Sequence, residues 1–312
     1  MALGLSDVLV GVWTSPHALT GTTVVLPPEG TLGAMAVRGA SPGTREAIAL
    51  GPNGKLTTIH AAVLSGGSAF GLATADGVVS WLAARGIGYD IGVAKVPIVG
   101  AAIILDRGIA FADNRPDAAA GAAACDAATA DDPPEGSVGA GTGATVAKTA
   151  GLEHCWRGGQ GWAVHRSGEV VVGALVINNA VGEIVAEDGE VIAASRAPAD
   201  VVRFPQALPF EAARDNGPAA NTVIGAIVTN ARLDKLGAFR VADLGHSGIV
   251  RSIRPAHTQY DGDALFCLAT QRVETHVDLV AALAADAVAE AARRGPLAAH
   301  GDADIPGLAD AR

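Results

Sequence analysis

Cysteines and basic residues are scarce in this sequence, and each shortage excludes a class of protein. The 312 residues include 3 cysteines, at positions 125, 155 and 267. Because they are scattered and odd in number, they fit neither a disulfide framework nor a paired-cysteine zinc site. Lysine and arginine total 22 against 32 aspartates and glutamates, which leaves a formal net charge of −10 and no basic run. We therefore expect no nucleic-acid partner.

Long hydrophobic runs are also missing. The longest uncharged stretch, Leu56 to Ala75, contains His60, Ser65 and Ser68 and is a poor membrane span. The first residues, MALGLSDVLVGVW, have no positive charge ahead of their apolar side chains, so we read no signal peptide. The expectation is a soluble cytoplasmic protein without a membrane partner.

Aromatic side chains are few, at 4%, whereas glycine is abundant, with 40 residues. Hydrophobic residues make up 49% of the chain and charged residues 17%. A core is therefore easily filled, and most of the chain must be ordered. Small residues in place of large aromatic ones imply that backbone segments pack closely and that tight turns are frequent.

Apolar and β-branched runs divide the chain into predicted strands and helices. Strands are predicted at Thr22–Leu26, Val96–Leu105, Val170–Asn178, Thr222–Asn230 and Ala264–Thr270. Helices are predicted at Ser68–Arg85, ending at Gly86, at Val277–Arg294, ending at Gly295 and Pro296, and within Asp113–Gly136. Both halves contain strands and helices, and no linker separates them. We predict a layered α/β or α+β architecture in a single domain of residues 1–312, with a break at Glu211–Asn221.

Motifs for phosphate, acyl or metal chemistry occur only in incomplete form. The loop GAGTGATVAK, Gly139–Lys148, has Ala147 where a phosphate-binding loop needs glycine. The segment LSGGSAFG, Leu64–Gly71, has Phe70 where a nucleophile elbow needs glycine. The 8 histidines form no HExxH-type pair, and Asp261-Gly262-Asp263 lacks the further ligands of a calcium loop. We predict no cofactor and no metal. The glycine loop is either a tight turn against another strand or a support for its own lysine.

The dipeptide Asn221-Thr222, where a polar segment meets a buried strand, is a weak signal by itself because strands often begin with threonine. Its chemistry is nonetheless specific. A threonine hydroxyl is a poor nucleophile at neutral pH, but cleavage before Thr222 would give that residue a free α-amine with a pKa near ~8. Part of the amine is unprotonated and can take the hydroxyl proton. One residue would then supply both nucleophile and base.

Six segments in order along the chain carry a resemblance to a known family. They are RGASPGTREAIAL (Arg38–Leu50), HAAVLSGGSAFGLATADGVVSWLAARGIGYD (His60–Asp90), GAGTGATVAK (Gly139–Lys148), ALVINNAVGE (Ala174–Glu183), NTVIGAIVTNARL (Asn221–Leu233) and IRPAHTQYDGDALFCLAT (Ile253–Thr270). Together they resemble the N-terminal-nucleophile aminopeptidases, which include the L-aminopeptidase/D-esterases, the β-peptidyl aminopeptidases and the nylon-oligomer endo-hydrolases. The last branch is the most similar, because threonine stands at the nucleophile position and the late motif reads Asp-Gly-Asp.

The resemblance implies an α+β fold, a four-layer αββα sandwich, that cleaves itself between Asn221 and Thr222. Cleavage would give an α chain of residues 1–221 and a β chain of residues 222–312, which remain in one sandwich. It also implies an amide hydrolase that forms an acyl-enzyme, without a cofactor. The implied substrates are small peptides, amino-acid amides or ω-amino-acid oligomers, and the implied assembly is a homotetramer.

Carried over residue by residue, the resemblance assigns five side chains to the active site. Thr222 matches the nucleophile, and Asn179 matches the side-chain donor to the oxyanion. Lys148 matches a lysine beside the nucleophile, where it adds positive potential. Asp261 and Asp263 match a carboxylate pair that would hold the lysine or a substrate ammonium group.

Two positions leave alternatives open. Asn178 is adjacent to the assigned asparagine, so the register is uncertain by one residue. Leu105 stands where several family members have an active-site tyrosine, which favours a non-catalytic member that binds a small molecule. A further alternative is an acyltransferase of the ornithine acetyltransferase type, which also cleaves itself before a threonine.

Overall fold

The computed structural model describes residues 1–110, 114–204, 221–302 and 304–311. Its helices are α1 Ala47–Leu50, α2 Thr74–Ala83, α3 Ala118–Asp126, α4 Lys235–Ser252 and α5 Val277–Leu297. Its strands are β1 Leu9–Thr14, β2 Gly21–Leu26, β3 Leu32–Val37, β4 Thr44–Arg45, β5 Ala61–Ser65, β6 Tyr89–Asp90, β7 Lys95–Val96, β8 Val99–Ile103, β9 Thr145–Val146, β10 Trp156–Arg157, β11 Gly159–Ser167, β12 Val170–Asn179, β13 Glu183–Val185, β14 Val191–Ala193, β15 Thr222–Arg232, β16 Ile253–Arg254 and β17 Ala264–Glu274.

Two five-stranded sheets form the centre of the molecule. The first has the order β1-β2-β5-β8-β4, and the second has the order β11-β12-β15-β17-β3. Neighbouring strands are antiparallel except in the β5–β8 and β15–β17 pairs, which are parallel. Helices α2 and α3 cover the outer face of the first sheet, and α4 and α5 cover the outer face of the second. The fold is the four-layer αββα sandwich that the resemblance implies, and that prediction is confirmed.

Apolar side chains fill the spaces between these layers. Leu64, Leu175 and Phe266 lie between the two sheets and are fully buried. Burial of each such side chain stabilises the fold by about 1.5–3 kcal/mol. Between the second sheet and α5 the backbones approach so closely that a Cβ on Gly161 would lie 2.3 Å from the Ala291 carbonyl oxygen. Close packing of this kind accounts for the abundance of glycine and alanine.

Strand β15 lies in the middle of the second sheet, between β12 and β17. Its residues from Thr222 to Ala231 are all buried, which explains why the run lacks hydrophobic–polar alternation. Thr222 is the first residue of the strand. It therefore lies at the end of the sheet, level with Asn179 at the end of β12 and beside the Asp261-Gly262-Asp263 segment that precedes β17.

One predicted helix start and one predicted strand are wrong in part. Ser68–Ala73 forms 3-10 turns, and the α-helix begins at Thr74. Gly86 follows that helix in the left-handed conformation, with φ of 67°, as a glycine at a helix end often does. The run Val96–Leu105 is divided between β7 and β8 because Pro97 has no N–H to donate to a sheet.

The predicted end of the last helix is also wrong. Helix α5 continues through Gly295 and Pro296 for one further residue. A proline inside a helix deprives the carbonyl four residues earlier of its partner. Here that carbonyl belongs to Ala292, and it accepts a hydrogen bond from Asn178 Nδ2 at 2.7 Å. A side chain from β12 thus replaces the missing donor and allows the helix to continue.

The helix predicted within Asp113–Gly136 spans Ala118–Asp126, and the side chain of Asp117 accepts a backbone N–H of its first turn. Asp113 itself lies outside the described residues, as does the predicted break from Glu211 to Ala220. In the described part of the chain no helix has the length and apolar character needed to cross a membrane.

Candidate active site

The side chains assigned from the resemblance converge at the end of the second sheet. Asn179 lies directly opposite Thr222 in the β12–β15 pair, and Lys148 Nζ donates to the Asn179 carbonyl oxygen at 2.8 Å. The segment from Asp261 to Asp263 flanks Thr222 on its other side. Each of the five side chains is at most 4% exposed. The charged groups among them, Lys148, Asp261 and Asp263, therefore act on one another in a medium that screens charge weakly.

The Asn179 side chain faces this site, whereas the Asn178 side chain faces helix α5. Asn179 Oδ1 accepts hydrogen bonds from Thr145 N at 2.9 Å and from Lys148 Nζ at 3.2 Å. Its Nδ2 donates to the Leu105 carbonyl oxygen at 3.1 Å. Successive side chains of a strand point to opposite faces. Of the two asparagines, it is therefore Asn179 that the β12–β15 pairing brings to Thr222.

Leu105 borders the site through its main chain, because its carbonyl oxygen orients the Asn179 amide. The turn that follows is held by Asp106, whose Oδ1 accepts the N–H groups of Gly67 at 3.0 Å and Gly108 at 3.1 Å. Burial raises the pKa of Asp106 to about 6. The position at which several relatives have tyrosine thus contributes a backbone acceptor here and no side-chain hydroxyl.

The glycine loop brings a buried lysine to the site. Ala147 has a left-handed backbone with φ of 57°, which turns the chain immediately before Lys148. Burial lowers the pKa of Lys148 to about 7, while the neighbouring Cys155 and Asp261 act in the opposite direction. Near neutral pH Lys148 is therefore a mixture of charged and neutral forms. The resemblance implied positive potential at this position, and the lowered pKa limits that potential to the protonated fraction of Lys148.

The glycines of the same loop serve close packing of backbone on backbone. A Cβ on Gly141 would lie 2.4 Å from Gln160 N, and one on Gly143 would lie 1.9 Å from the Leu19 carbonyl oxygen. Any side chain at these positions would displace the neighbouring main chain. The loop is thus a tight turn against other strands that also supports its lysine, so both non-phosphate interpretations apply.

The two aspartates accept hydrogen bonds that hold the turn beside the nucleophile position. Asp263 Oδ1 accepts Val223 N at 2.6 Å, while its Oδ2 lies 2.6 Å from His257 Nδ1. Asp261 Oδ2 accepts from Thr258 N at 2.8 Å and from Thr258 Oγ1 at 2.6 Å. Burial, and after it the charge of Asp263, raises the pKa of Asp261 to about 6. The two carboxylates hold different parts of the site: Asp263 anchors the strand that follows Thr222, and Asp261 holds the turn at Thr258.

The Thr222 hydroxyl lies against the peptide bond that precedes it. Thr222 Oγ1 donates to the Asn221 carbonyl oxygen, and Gly262 N donates to the same oxygen at 3.3 Å. Gly262 permits this approach, because a Cβ there would lie 2.7 Å from Ser41 O and 3.0 Å from Thr222 Oγ1. Two donors therefore converge on one carbonyl oxygen next to a candidate nucleophile.

Sequence reasoning missed His257 and Thr258, which hold the two aspartates. Both lie in the segment IRPAHTQYDGDALFCLAT, and their signal was the presence of polar side chains just ahead of two carboxylates. The contributions of Thr145 and Leu105 come from the main chain and have no counterpart in the sequence. Across the described residues, no group of three or more histidine, cysteine, aspartate or glutamate side chains is placed to hold a metal ion.

Solved structures identify the class of fold. A β-aminopeptidase of Burkholderia sp. superposes with a TM-score of 0.75 over 99% of this chain and 91% of its own, at 20% identity. The L-aminopeptidase D-Ala-esterase/amidase of Ochrobactrum anthropi, described as a variant of the Ntn hydrolase fold, superposes with a TM-score of 0.69 over 97% of this chain and 88% of its own, at 18% identity. The fold is that of the N-terminal-nucleophile hydrolases.

Sequence comparison then identifies the family. The model of peptidase family S58 matches residues 4–301. An uncharacterized aminopeptidase of Mycobacterium tuberculosis is 40% identical, with 93% of this chain and 89% of the relative aligned. A 6-aminohexanoate-oligomer endohydrolase of Agromyces sp. is 35% identical, with 82% of this chain and 70% of the relative aligned. The chain belongs to peptidase family S58 and is a hydrolase, which confirms the resemblance found in its six motifs.

Proposed function

We propose that this chain is a self-processing amide hydrolase whose nucleophile is Thr222, released as an N-terminal residue by cleavage after Asn221. One observation carries the proposal: the Thr222 hydroxyl donates to the Asn221 carbonyl oxygen, in register with Asn179 and its bound lysine. A hydroxyl held beside a main-chain carbonyl group, with a basic amine nearby, is what an intramolecular acyl shift requires.

Maturation is an N-to-O acyl shift followed by hydrolysis. The Thr222 oxygen attacks the Asn221 carbonyl carbon while its proton passes to a base. The C–N bond then breaks and the new α-amine takes up a proton, which leaves Asn221 as an ester on Oγ1. Water cleaves the ester, releasing a carboxylate and restoring the hydroxyl. We assign Lys148 as the base, because its pKa of about 7 leaves a neutral fraction before any α-amine is free. The Gly262 N–H stabilises the developing charge on the Asn221 oxygen.

In the processed enzyme the α-amine of Thr222 takes over as base, since a pKa near ~8 leaves part of it neutral. Attack on a substrate amide builds a tetrahedral oxyanion, for which we assign the Asn179 amide as donor. One such donor typically contributes ~3–4 kcal/mol. The leaving amine takes a proton from the α-ammonium group, and a water activated by the same amine releases the acid. Asp263 keeps the nucleophile in place through Val223.

The proposed substrates are small peptides, amino-acid amides or ω-amino-acid oligomers. Relatives named as an aminopeptidase and as a 6-aminohexanoate-oligomer endohydrolase support this range. The buried carboxyl group of Asp261 beside Thr222 also supports it, because a substrate ammonium group would be attracted there. The proposal includes assembly as a homotetramer. Light scattering of the processed enzyme tests that part, and a monomeric mass would contradict it.

The main experiment follows the chain by denaturing gel and intact mass, together with turnover of an amino-acid amide. Active wild-type protein should show two fragments, ending at Asn221 and beginning at Thr222, in place of one 31.0 kDa chain. Thr222→Ala should stay uncut and inactive, while Thr222→Ser keeps a hydroxyl and should be cut and active.

Thr229→Ala is the matched control for that substitution. Thr229 is a buried threonine on the same strand, and its hydroxyl donates to the Val171 carbonyl oxygen at 2.8 Å. This variant should be cut and active, because its hydroxyl has no part in the site. A single uncut chain in active wild-type enzyme, or undiminished activity in Thr222→Ala, would refute the proposal.

A further inference from the structure

A histidine without a role in the proposed mechanism lies next to the strand that carries the nucleophile. His257 Nδ1 is 2.6 Å from Asp263 Oδ2, and the His257 N–H donates to the same oxygen at 3.2 Å. Asp263 is 1% exposed, and its other oxygen accepts the N–H of Val223 at 2.6 Å. One carboxylate thus links His257 to the main chain immediately after Thr222.

A second histidine holds the ring of His257 in place. His246, on α4, packs edge-on against that ring, with centroids 4.9 Å apart and an angle of 66° between the planes. Burial, and after it the proximity of His257, lowers the pKa of His246 to about 4. His246 is therefore neutral near pH 7. Its Nε2 lies 3.2 Å from the Ala36 carbonyl oxygen, and because a carbonyl oxygen can only accept a hydrogen bond, Nε2 is the ring nitrogen that carries the proton. A neutral ring anchored in this way restricts rotation of His257 away from Asp263.

The backbone of His257 explains how one residue can present two donors to one oxygen. Its φ of 55° is left-handed, a conformation that residues other than glycine seldom adopt. The resulting bend directs both the N–H and the ring Nδ1 toward Asp263 Oδ2. Asp263 Oδ1 can therefore accept the hydrogen bond from Val223 N.

Other charged and titratable side chains lie around the His257–Asp263 pair. His246 is close to both members of the pair and to Arg38, and Asp261 is close to Asp263 and to Lys148. Arg38 is paired with Asp243 at 2.5 Å. Among the described contacts, His257 is the residue that bonds the Asp263 side chain through a ring donor.

We propose that His257 is a positioning residue for the hydrolase, and the inference rests on the proposed role of Thr222. By donating Nδ1–H to Asp263, His257 keeps that carboxylate oriented, so that its other oxygen holds the Val223 N–H. The peptide plane after Thr222 then stays in register for attack. Because His257 acts through Asp263, its loss should lower kcat with little change in KM.

Three substitutions separate the hydrogen bond from the backbone conformation. His257→Asn places an amide donor near the position of Nδ1 and tolerates a left-handed backbone. His257→Gly adopts that backbone more easily still but has no side-chain donor. His257→Leu has neither property. We expect His257→Asn to keep kcat within about threefold of wild type, and the other two to lose about tenfold or more, because each lacks a hydrogen bond to a charged partner.

The split between kcat and KM provides a readout that a purely structural role would not change. In His257→Gly and His257→Leu the loss should fall on kcat, while KM stays within about twofold of wild type. His257→Asn should restore kcat, because its amide replaces the Nδ1–H donor. His165→Leu is the matched control, because His165 Nε2 also contacts a carboxylate, that of Glu290 at 3.0 Å, between β11 and α5. This variant should keep the wild-type kcat and KM.

Wild-type kcat in His257→Gly, or a loss in that variant that falls on KM with kcat unchanged, would overturn the inference, even where Thr222→Ala is uncut and inactive. Activity in uncut Thr222→Ala would instead refute the proposed function, so the two failures are distinguishable. If thermal unfolding shows that the glycine and leucine variants do not fold, His257→Gln replaces them. Its amide reaches the position of Nε2 instead of Nδ1, and activity equal to that of His257→Asn would overturn the inference.

Discussion

Replacing Asn179 with alanine would separate catalysis from stability at this site. The substitution removes Nδ2, which donates to the Leu105 carbonyl oxygen at 3.1 Å and is the donor we assign to the oxyanion. Loss of one oxyanion donor typically lowers kcat by about 10²- to 10³-fold, or about 3–4 kcal/mol of transition-state stabilisation. We expect a loss of this size in processed Asn179→Ala.

The same substitution lowers stability for a different reason. It deprives the Thr145 N–H of the Oδ1 acceptor at 2.9 Å and the Leu105 carbonyl oxygen of its donor, and both groups lie at a buried site. Each buried group left without a partner costs about 1–3 kcal/mol. Lys148 keeps the main-chain carbonyl oxygen of residue 179 at 2.8 Å, so it adds little to this cost. We expect the free energy of unfolding to fall by about 2–6 kcal/mol.

Asn178→Ala is the matched control, because Asn178 is adjacent, fully buried and directed to the opposite face. Its Nδ2 donates to the Ala292 carbonyl oxygen at 2.7 Å, and its Oδ1 accepts Ala180 N at 3.2 Å. Removing these bonds should lower the free energy of unfolding by a similar amount. It should leave kcat within about threefold of wild type, because no donor to the substrate is lost.

The assay measures three quantities for both variants: the cleaved fraction on a denaturing gel, kcat with a saturating amino-acid amide, and urea unfolding. Cleavage is scored separately because Gly262 N donates to the Asn221 carbonyl oxygen, and we assign that N–H, and not the Asn179 amide, to stabilise this oxygen in the proposed maturation. If folded and cleaved Asn179→Ala had a kcat within about tenfold of Asn178→Ala, the assignment of the oxyanion donor would be wrong.

Two further predictions concern buried charges. Burial lowers the pKa of Lys148 from 10.5 to about 7, so between these values the unfolded chain binds a proton that the folded chain does not. The stability of wild type relative to Lys148→Met should rise by roughly 1 kcal/mol per pH unit from about pH 7 to about pH 9 in urea unfolding, and a flat difference would contradict this. Asp302, in the C-terminal segment, pairs with Arg157, which is 2% exposed and also donates to the Thr142 carbonyl oxygen of the glycine loop. Asp302→Ala should lower the free energy of unfolding by about 2–3 kcal/mol, because it leaves the buried Arg157 guanidinium without this carboxylate. The control Asp304→Ala removes a carboxylate that is 75% exposed and should cost less than about 1 kcal/mol. Equal losses in urea unfolding would contradict a stabilising role for the Asp302–Arg157 pair.

The sequence predicted five of the ten strands in the two sheets, β2, β8, β12, β15 and β17, and these are buried over most of their length. Such strands appear as continuous apolar runs, and Val170–Asn178 and Thr222–Asn230 correspond to β12 and β15 within two residues. The end of α5 was not predictable. It depends on a hydrogen bond between Asn178 and Ala292, 114 positions apart in the chain, and no local pattern reports such a contact.

The candidate members of the site came from motifs, but motifs do not report how these residues are arranged. The sequence alone left Asn178 and Asn179 as alternatives, because both are short polar residues at the end of one strand. It also assigned positive potential to Lys148 without its lowered pKa, because a pKa shift of this kind arises from burial. The carbonyl oxygen of Leu105 and the N–H of Thr145 act through the main chain, so the identity of their side chains carries no signal.

By itself, the sequence determined which residues can do chemistry: a threonine that starts a buried strand after a polar segment, and the lysine, amide and carboxylates of neighbouring motifs. The tertiary structure decided which of them meet and in what ionisation state. Pairing of β12 with β15 sets Asn179 opposite Thr222, and a shift of one residue would turn every side chain of the strand to its other face. That register depends on hydrogen bonds between distant segments, and the pKa shifts depend on how completely the assembled layers exclude water. Neither is encoded in any short stretch of the chain.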